Sequence, residues 1–596
     1  MLLCLPLVPG CSESGNNEIT KKKEVKQEVL ENVRAEDFYQ NGYTTNYVVG
    51  LDKFGRAFEA TLGEKSDKER NVGLFYFLCS GQHDSDTIRN VTEILEQEDG
   101  MDILFYTDNE TCPKDKSLYW GEPLFGYYNS LDAWVIRRHL SLLYNAGVDF
   151  LVFDTTNAVT YDSVVNKIIR EAEAMIEEGW DVPKLCYYTN ANSKSVMEAL
   201  YRTFYKKGKY DDVWYKIDGK PLIIGTKEAV SQLSEEMQDY FYFRYSQWPN
   251  ESFIEDGFPW IEWSYPAPVH NDVINVAVAS HPALPMSFSV TRGAKNWGRG
   301  WNVVTKENES DKAEEGQFFQ STWDVALEAD VGTVFVTGWN EWTAGKYLYD
   351  GEYAMVDLCN FEFSRDAEMM KGGAEDSFYL QLARNIRAYK NNCLSSGSCL
   401  KTENITVPMT SDLSCWDNVK AIFRETIQSN KERNCKGSAP TVSYYQAAAR
   451  NFVQEMRICC DEDNVYFYIK SDSDITVREA GDETYMNIFI GTGAVELKGW
   501  QGYEFVIGRH DNGDGTVSVE ALSSDFSGTA VGSAEYRIDG SVMQIKVSKD
   551  LLSGLESTGT FYFKLADGIE NPSDITDYYV SGKSFPLGRL SYRYLG

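Results

Sequence analysis

The chain has little histidine and a deficit of positive charge, and both shortages narrow the chemistry open to it. Only 5 of its 596 residues are histidine. No HxH or HExxH pattern brings two of them together, so we expect neither a catalytic metal nor any other cofactor. Lys and Arg total 57 against 90 Asp and Glu, a net charge of −33. Such an acidic chain is a poor partner for nucleic acid or an anionic membrane surface.

Several common motifs are also missing. No GxGxxG follows the first strand pattern, and there is no Walker loop and no GxSxG elbow, which argues against a nucleotide site and the commonest esterase site. None of the 12 cysteines has paired CxxC zinc spacing. Cys393 and Cys399 flank a short Ser/Gly loop and suit a small disulfide, although buried free thiols are as consistent with the sequence. No apolar run reaches the length of a transmembrane helix.

The N-terminus resembles the end of a bacterial lipoprotein signal, although the basic segment that normally opens one is missing. Residues 1–10 are mostly apolar, Cys11 follows a small residue, and a polar, lysine-containing tether continues to about Val33. We therefore expect an exported protein of the bacterial periplasm or cell surface, with Cys11 as the lipid-accepting residue of an outer-membrane lipoprotein. The alternative is a frayed N-terminal tail.

The pattern of the chain predicts four segments: a signal remnant and linker (1–33), an α/β domain (34–391), a connector (392–408) and an all-β sandwich (409–596). In the α/β segment, apolar runs alternate with helical patterns. The predicted strands are Val72–Leu78, Phe150–Thr155, Lys184–Thr189, Leu222–Gly225, Tyr240–Tyr245, Trp260–Trp263, Pro285–Val290 and Thr333–Thr337, with Ile103–Tyr106 as an extra one. About eight strand–helix units favour a closed (β/α)8 TIM barrel.

Four carboxylates lie where this barrel would place strand ends, at its catalytic face. Glu341 ends the apolar run that begins at Gly332, and Asp154 ends the run from Phe150. Glu262 stands between two tryptophans, and Glu122 lies in an aromatic loop. Hydrolysis of a glycoside normally requires two carboxyl groups across the scissile bond. We rank Glu341 first, then Glu262, Asp154 and Glu122; each is alternatively a structural carboxylate.

Aromatic and polar residues around these carboxylates suit sugar binding, since indoles offer flat apolar faces and polar side chains bond hydroxyls. The candidate substrate-binding residues are Trp120, Tyr127, His83, Asn157, Trp263, Trp339, Asn340 and Trp342. Core tryptophans and a structural His83 are the alternatives. In the sandwich, Trp500 and Tyr503 suit either a stacking platform or core packing.

The motifs Trp120–Pro123, Ala146–Asp149 leading to Asp154, and Trp339–Trp342 together resemble the endo-α-mannosidase/endo-α-mannanase glycoside hydrolases and their relatives in bacterial polysaccharide utilisation. In that family a second glutamate follows the Asn-Glu-Trp glutamate by three positions, and the pair serves retaining chemistry. Glu341 matches the first glutamate, but Ala344 stands at the second position. The sandwich resembles carbohydrate-binding modules and DOMON-like domains. The segments that show this resemblance are Asp463–Ile469 and Lys498–Glu504.

The sequence thus predicts an exported glycoside hydrolase acting on a polysaccharide or complex glycan, and the resemblance implies a linkage of the α-mannoside type. The alternative, motivated by Ala344, is a non-catalytic surface glycan-binding protein on a decayed hydrolase barrel. A glycan-modifying lyase or esterase ranks third.

Overall fold

In the computed structural model, residues 48–59, 69–83, 86–390, 404–424, 430–555 and 559–594 are described. Cys11, its tether and the Cys393–Cys399 loop lie outside these ranges. The cysteines within them are free thiols. No helix in the described ranges is long and apolar enough to cross a membrane.

Eight parallel strands form the sheet of the large domain. They are β1 (Asn71–Tyr76), β2 (Phe150–Thr155), β3 (Lys184–Thr189), β4 (Lys220–Gly225), β5 (Tyr242–Gln247), β6 (Gly257–Pro259), β7 (Val273–Ala277) and β8 (Thr333–Thr337). Their order in space is β6-β5-β4-β3-β2-β1-β8-β7, so the first strand pairs with the last, as in a TIM barrel. The short strands Lys216–Ile217 and Val269–His270 add antiparallel partners to β4 and β7.

Helices connect most of these strands. The α-helices of the domain are Val91–Leu95, Ala133–Ala146, Asp162–Glu177, Ser193–Leu200, Lys227–Ser231, Glu235–Tyr240, Phe288–Thr291, Gln317–Ala329 and Ser377–Lys390. Residues 248–256 and 260–272, all described, cross from β5 to β6 and from β6 to β7 without a helix. The sheet is therefore nearly barrel-shaped and has the parallel strand order of the prediction, but the classic (β/α)8 barrel is not confirmed.

The barrel is nearly closed, and side chains bridge its seam. β6 and β7, both fully described, share no ladder of backbone hydrogen bonds. Instead, the buried amide of Asn275 in β7 donates towards the carbonyls of Trp260 and Phe335, at 3.2 Å each. The side chain of Asn275 thus supplies hydrogen bonds at a seam where the two strands do not pair, because buried carbonyls need a donor.

Three predicted strands, Pro285–Val290, Ile103–Tyr106 and Trp260–Trp263, are wrong, and two barrel strands were not predicted. The segment Pro285–Val290 overlaps the helix Phe288–Thr291, and Ile103–Tyr106 lies in the π-helical turn Asp102–Tyr106. The seventh barrel strand is Val273–Ala277, whose central Asn275 interrupts the apolar pattern. The sixth strand, Gly257–Pro259, ends just before the predicted Trp260–Trp263.

The inside of the barrel is filled by alternate strand residues, including Phe75, Val152, Tyr188, Ile224 and Phe335, which pack in one buried cluster. Phe75 contacts Phe335 and Tyr188 edge to face, with ring centroids 5.7 Å apart in both pairs. Because the side chains of a strand alternate, Asp154 of β2 points to the same interior as Val152, at the end where the parallel strands finish.

In the described residues, the second domain is built on one continuous antiparallel sheet of 13 strands. They are Val48–Leu51, Ala57–Phe58, Ile422–Arg424, Val453–Cys460, Asn464–Ser471, Asn487–Thr492, Phe505–Asp511, Thr516–Leu522, Gly528–Asp539, Val542–Ser548, Phe561–Asp567, Lys583–Phe585 and Leu590–Tyr594. Phe467 contacts Phe561 and Phe423 contacts Phe563 although their strands are not neighbours, so the sheet folds over itself into two layers. Trp500 and Tyr503 are buried and pack against Phe489, which makes them core residues rather than a platform.

The division of the chain differs from the predicted one at its N-terminal side. Val48–Leu51 pairs with Leu590–Tyr594 and therefore belongs to the second domain, although it falls within the predicted 34–391 segment. Buried ion pairs join the domains: Arg433 binds Asp132 at 2.8 Å, and Arg589 binds Asp376 at 2.9 Å. These pairs fix the sandwich against the helical side of the barrel.

Candidate active site

The segment that follows β8 is held at the barrel mouth by hydrogen bonds to the end of β1. The backbone N–H of Trp339 donates to the carbonyl of Phe75 at 2.9 Å. The Asn340 side chain accepts from the N–H of Phe77 at 2.8 Å and donates to its carbonyl at 3.0 Å. Asn340 thus imitates a strand partner, and it places Glu341 over the end of the barrel.

Glu341 is nearly buried, with 14 % of its side chain exposed. Its carboxylate Oε2 accepts a hydrogen bond from Arg365, and its backbone N–H donates to Asp366 Oδ1 at 2.7 Å. Burial raises the pKa of Glu341 to about 8, although Arg365 opposes the shift. Burial likewise raises the pKa of Asp366 to about 6.

Arg365 links two carboxylates. Besides Glu341 it binds Asp357 Oδ1 at 3.5 Å, and it lies 5.0 Å from the centre of the Trp260 indole. Because one guanidinium contacts both carboxyl groups, the two are near neighbours, and glycoside hydrolysis uses two carboxyl groups that face one bond. Asp357 is 42 % exposed, so this side of the pair opens to solvent.

His281 completes this cluster from beneath. Arg365 donates to its Nδ1 at 3.1 Å, which leaves the proton of a neutral ring on Nε2. Burial, assisted by the charge of Arg365, holds the pKa of His281 well below its usual value. His281 therefore acts as a neutral acceptor that orients Arg365, not as a proton donor at neutral pH.

Asp154 faces the same mouth from β2. Its Oδ1 accepts from the N–H of Thr156 at 3.0 Å and from the Thr156 hydroxyl at 2.7 Å. Burial raises the pKa of Asp154. The two hydrogen bonds from Thr156 and the charge of Arg365 oppose this shift, and the charge of Asp357 adds to it. The structure thus brings Asp154 into one electrostatic unit with Glu341, Asp357 and Arg365.

Cys79, which follows β1, lies beside these carboxylates. Burial, together with the charges of Glu341 and Asp154, raises the pKa of the Cys79 thiol to about 12. A thiol held neutral in this way is a poor nucleophile at physiological pH. The nucleophile or base of the site is therefore to be sought among the carboxylates.

Two predicted binding residues lie together on the exposed rim. The hydroxyl of Tyr161 is 3.0 Å from His83 Nε2 and 3.5 Å from Asn157 Nδ2. His83 and Asn157 are both exposed. Trp263 is partly exposed and meets the His281 ring edge to face, with centroids 5.6 Å apart. These side chains border the mouth with the donors, acceptors and apolar area that a sugar ring requires.

Two of the ranked carboxylates have partners of their own. Glu262 Oε1 is 3.1 Å from His270 Nε2, and the other nitrogen of that ring is 2.7 Å from the carbonyl of Ile254. Glu122 pairs with Lys371 near the surface. Neither side chain joins the Glu341 cluster in the contacts of the described residues, so their geometry fits a structural role.

The other predicted aromatic residues lie behind the mouth. Trp120 and Trp342 are buried and stack with ring centroids 4.3 Å apart and planes 14° apart. Trp339 is buried, and the buried Tyr127 hydroxyl accepts from Asn90 at 3.1 Å. These four buried rings do not line a sugar-accessible surface, and Trp120 and Trp342 support the segment that carries Glu341.

A buried polar network anchors the same segment. Glu368 accepts from Trp342 Nε1 at 2.6 Å and from the Tyr128 hydroxyl at 2.7 Å, and its other oxygen is 2.9 Å from His139 Nε2. The Tyr76 hydroxyl lies 2.9 Å from His139 Nδ1. Every polar atom named here has a partner, which makes the network a rigid support.

The sequence analysis did not predict a role at the site for four charged residues: Arg365, Asp366, Asp357 and Glu368. The signal was present, since the run Ala-Glu-Met-Met after Arg365-Asp366 sets charges among apolar residues, and buried charges are almost always paired. Ala344 lies in the strand Thr343–Gly345, which pairs with Ser117–Tyr119. The position three residues after Glu341 thus belongs to a two-stranded antiparallel sheet and contributes no carboxyl group.

Fold and site together define an α/β protein with a nearly closed parallel barrel and a cluster of carboxylates at its mouth. No protein-family model matches the chain, and no curated protein matches it.

Among solved structures, a GH99 endo-alpha-mannosidase from Bacteroides thetaiotaomicron is 14% identical, over 54% of this chain and 98% of that one. Its TM-score is 0.31 in a complex with BIS-TRIS-propane and 0.32 in a second structure. A glycoside hydrolase-like protein is 12% identical over 55% and 95% of the two chains, with a TM-score of 0.32. Likeness at this level carries no argument about activity, so any function must rest on the site itself.

Proposed function

We propose that this chain is a glycoside hydrolase whose reaction takes place at the mouth of the barrel. The observation that carries the proposal is the Glu341–Arg365–Asp357 arrangement, in which one buried guanidinium contacts two carboxyl groups, and glycoside hydrolysis uses two carboxyl groups close to one bond. The side chains of Trp263, His83 and Asn157, which border the mouth, supply contacts for the sugar.

Glu341 is the general acid in this proposal. Because its pKa is about 8, it carries a proton at neutral pH. Arg365 occupies Oε2, so the proton resides on Oε1 and is transferred to the leaving glycosidic oxygen. The bond between the anomeric carbon and that oxygen breaks, and the leaving group departs as an alcohol.

The second carboxylate is Asp357 or Asp154. Asp357 is open to solvent and suits activation of a water molecule, whereas Asp154 is oriented by Thr156 and points into the barrel mouth. In one route this carboxylate takes a proton from a water molecule whose oxygen bonds to the anomeric carbon. In the other it bonds to the anomeric carbon itself, and water then displaces it while the ionised Glu341 takes the proton of that water. Turnover of the variants Asp357→Asn and Asp154→Asn decides between the two carboxylates, since loss of the second carboxylate should abolish turnover.

The finer parts of the proposal come from the sequence. The substrate is a polysaccharide or complex glycan, with an α-mannoside as the first linkage to try. Cys11 is proposed to carry a lipid anchor that places the protein in the bacterial periplasm or at the cell surface.

Turnover of a glycan panel tests the proposal. Yeast α-mannan, high-mannose N-glycans and β-glucans are incubated with the wild-type protein and with Glu341→Gln, and new reducing ends are measured. We expect release by the wild type from at least one glycan, activity that falls as pH rises through 8, and no turnover by Glu341→Gln. The matched control is Glu328→Gln on the exposed side of the helix Gln317–Ala329, which makes the same chemical change far from the mouth. Wild-type rates in Glu341→Gln would refute the assignment.

A glycan-binding protein without catalysis is the second candidate, and two observations favour it. Arg365 occupies the Glu341 carboxylate, and Ala344 supplies no second glutamate. Binding of a glycan by the wild type, with no reducing ends formed at any pH between 4 and 9, would support this candidate over hydrolysis.

A further inference from the structure

An exposed tyrosine hairpin follows the site and takes no part in the chemistry above. We propose that Tyr347 and Tyr349 form a separate glycan-binding subsite, which holds a long saccharide chain beyond the barrel mouth. The inference rests on the proposed function, because it assumes that the mouth receives a glycan.

The two tyrosines share one face of a strand. Tyr347–Tyr349 pairs antiparallel with Glu352–Ala354, and alternation along a strand puts residues 347 and 349 on the same side, about 7 Å apart. Their exposed fractions are 50 % and 44 %. Leu348, which points to the opposite side, is 66 % exposed.

Each ring is supported from behind and open in front. Tyr347 lies against Gly345, where an added Cβ would come within 2.5 Å of the ring. Tyr349 meets the ring of the buried Phe288 edge to face, with centroids 5.7 Å apart. A tyrosine with one side packed and the other in solvent offers a preformed apolar surface, so little side-chain entropy is lost on binding.

The hairpin is also fixed at its base and its tip. The buried Lys346 Nζ donates to the carbonyls of Ile103, Thr107 and Cys112 at 2.8, 2.6 and 2.8 Å. Arg292 binds Glu352 at 2.7 Å and Asp350 at 3.1 Å. The tyrosines are therefore presented by a rigid element.

The hairpin is continuous with the site. Two residues lie between Glu341 and Ala344, the middle of the strand Thr343–Gly345, and the tyrosine strand begins two residues after that strand ends. A chain seated at the mouth therefore needs to extend by only a short distance to reach the hairpin.

A glycan fits this surface better than a protein or a membrane does. A stable protein interface buries about 800 Å² on each partner, more than two strands of three residues present. Asp350 and Glu352 border the tyrosines on a chain of net charge −33, which disfavours an anionic lipid surface. Two tyrosines in line need only the faces of a few sugar rings.

Affinity electrophoresis tests the subsite, with Glu341→Gln as the background so that the glycan is not cleaved. The probes are yeast α-mannan and barley β-glucan in the gel, with mannotriose and cellotriose measured by calorimetry. Adding Tyr347→Ala and Tyr349→Ala is expected to weaken polysaccharide binding about tenfold and to leave trisaccharide binding unchanged. Adding Leu348→Ala, on the opposite face, is the matched control and should change neither.

The outcomes separate the two proposals. If Glu341→Gln retains affinity for a polysaccharide and the tyrosine variant binds it equally well, the subsite is refuted and the proposed function stands. If trisaccharide binding falls in parallel, the tyrosines act through the mouth and the separate subsite is again refuted. If no probe binds before the tyrosines are changed, both proposals fail.

Discussion

Because Glu341 is buried, we expect the wild-type protein to lose stability as pH rises, and we expect the variant Glu341→Gln to be free of this loss. The pKa of the carboxyl rises from 4.5 to about 8 on folding. Between these values the folded state keeps a proton that the unfolded state has lost. Stability is therefore full below pH 4.5 and falls by about 1.4 kcal/mol per pH unit up to pH 8. Over 8 − 4.5 = 3.5 units, the loss reaches ~4–5 kcal/mol at most. Gln at position 341 has no proton to lose, so Glu341→Gln lacks this pH dependence.

Thermal melts of wild type and Glu341→Gln, followed at intervals from pH 5 to 9, measure the effect. At low pH the variant has no advantage, because both side chains are neutral. The midpoint of Glu341→Gln should then gain on the wild type by on the order of 2 °C per pH unit, and the difference should level off above pH 8. Glu328→Gln is the control and should follow the wild type throughout. Parallel curves for wild type and Glu341→Gln would show that the carboxyl is ionised across this range, and the general-acid role would be abandoned.

Three further predictions concern the supports of the site. Asn340→Ala removes both bonds to Phe77, and we expect a loss of about 1–3 kcal/mol of stability, seen as a lower melting midpoint, together with lower turnover; unchanged melting would contradict the anchoring role. Cys79 should react with iodoacetamide much more slowly at pH 7.5 than a free cysteine peptide, as followed by mass spectrometry, and rapid labelling of the folded protein would disprove the raised thiol pKa. Arg433→Met leaves Asp132 buried without its partner, and the expected cost of about 3–5 kcal/mol should appear as a lower midpoint or early proteolysis between the domains.

The sequence predicted most of the parallel strands because each is a short, nearly continuous apolar run between helical patterns. Phe150–Thr155, Lys184–Thr189 and Thr333–Thr337 have the predicted bounds. It failed at β7, where Asn275 is polar because it satisfies carbonyls at the seam. No local pattern reveals a partner that is supplied by the opposite side of a barrel.

Part of the cluster at the mouth was also accessible to sequence reasoning. Glu341 and Asp154 follow apolar runs in the sequence, and the structure sets Asp154 at the end of β2 and Glu341 four residues beyond the end of β8. The pairing of Glu262 with His270 was not accessible, because it depends on how a loop returns across the seam. The burial of Trp339 and Trp342 was not accessible either. Proximity to a carboxylate in sequence does not indicate whether an indole lies in the cleft or in the core.

The position of Glu341 depends on more than the strand that precedes it. β8 ends at Thr337, and the following residues are fixed by backbone bonds to Phe75, by the amide of Asn340 and, one layer deeper, by Glu368 beneath Trp342. The buried carboxylate of Glu368 is costly to desolvate and contributes little net stability even though it is paired. Its physical effect here is therefore to fix the geometry of the segment. A nearly buried acid beside an arginine can keep a raised pKa only if neither group relaxes towards solvent. The rigidity of this support is therefore a condition for the chemistry proposed at the barrel mouth.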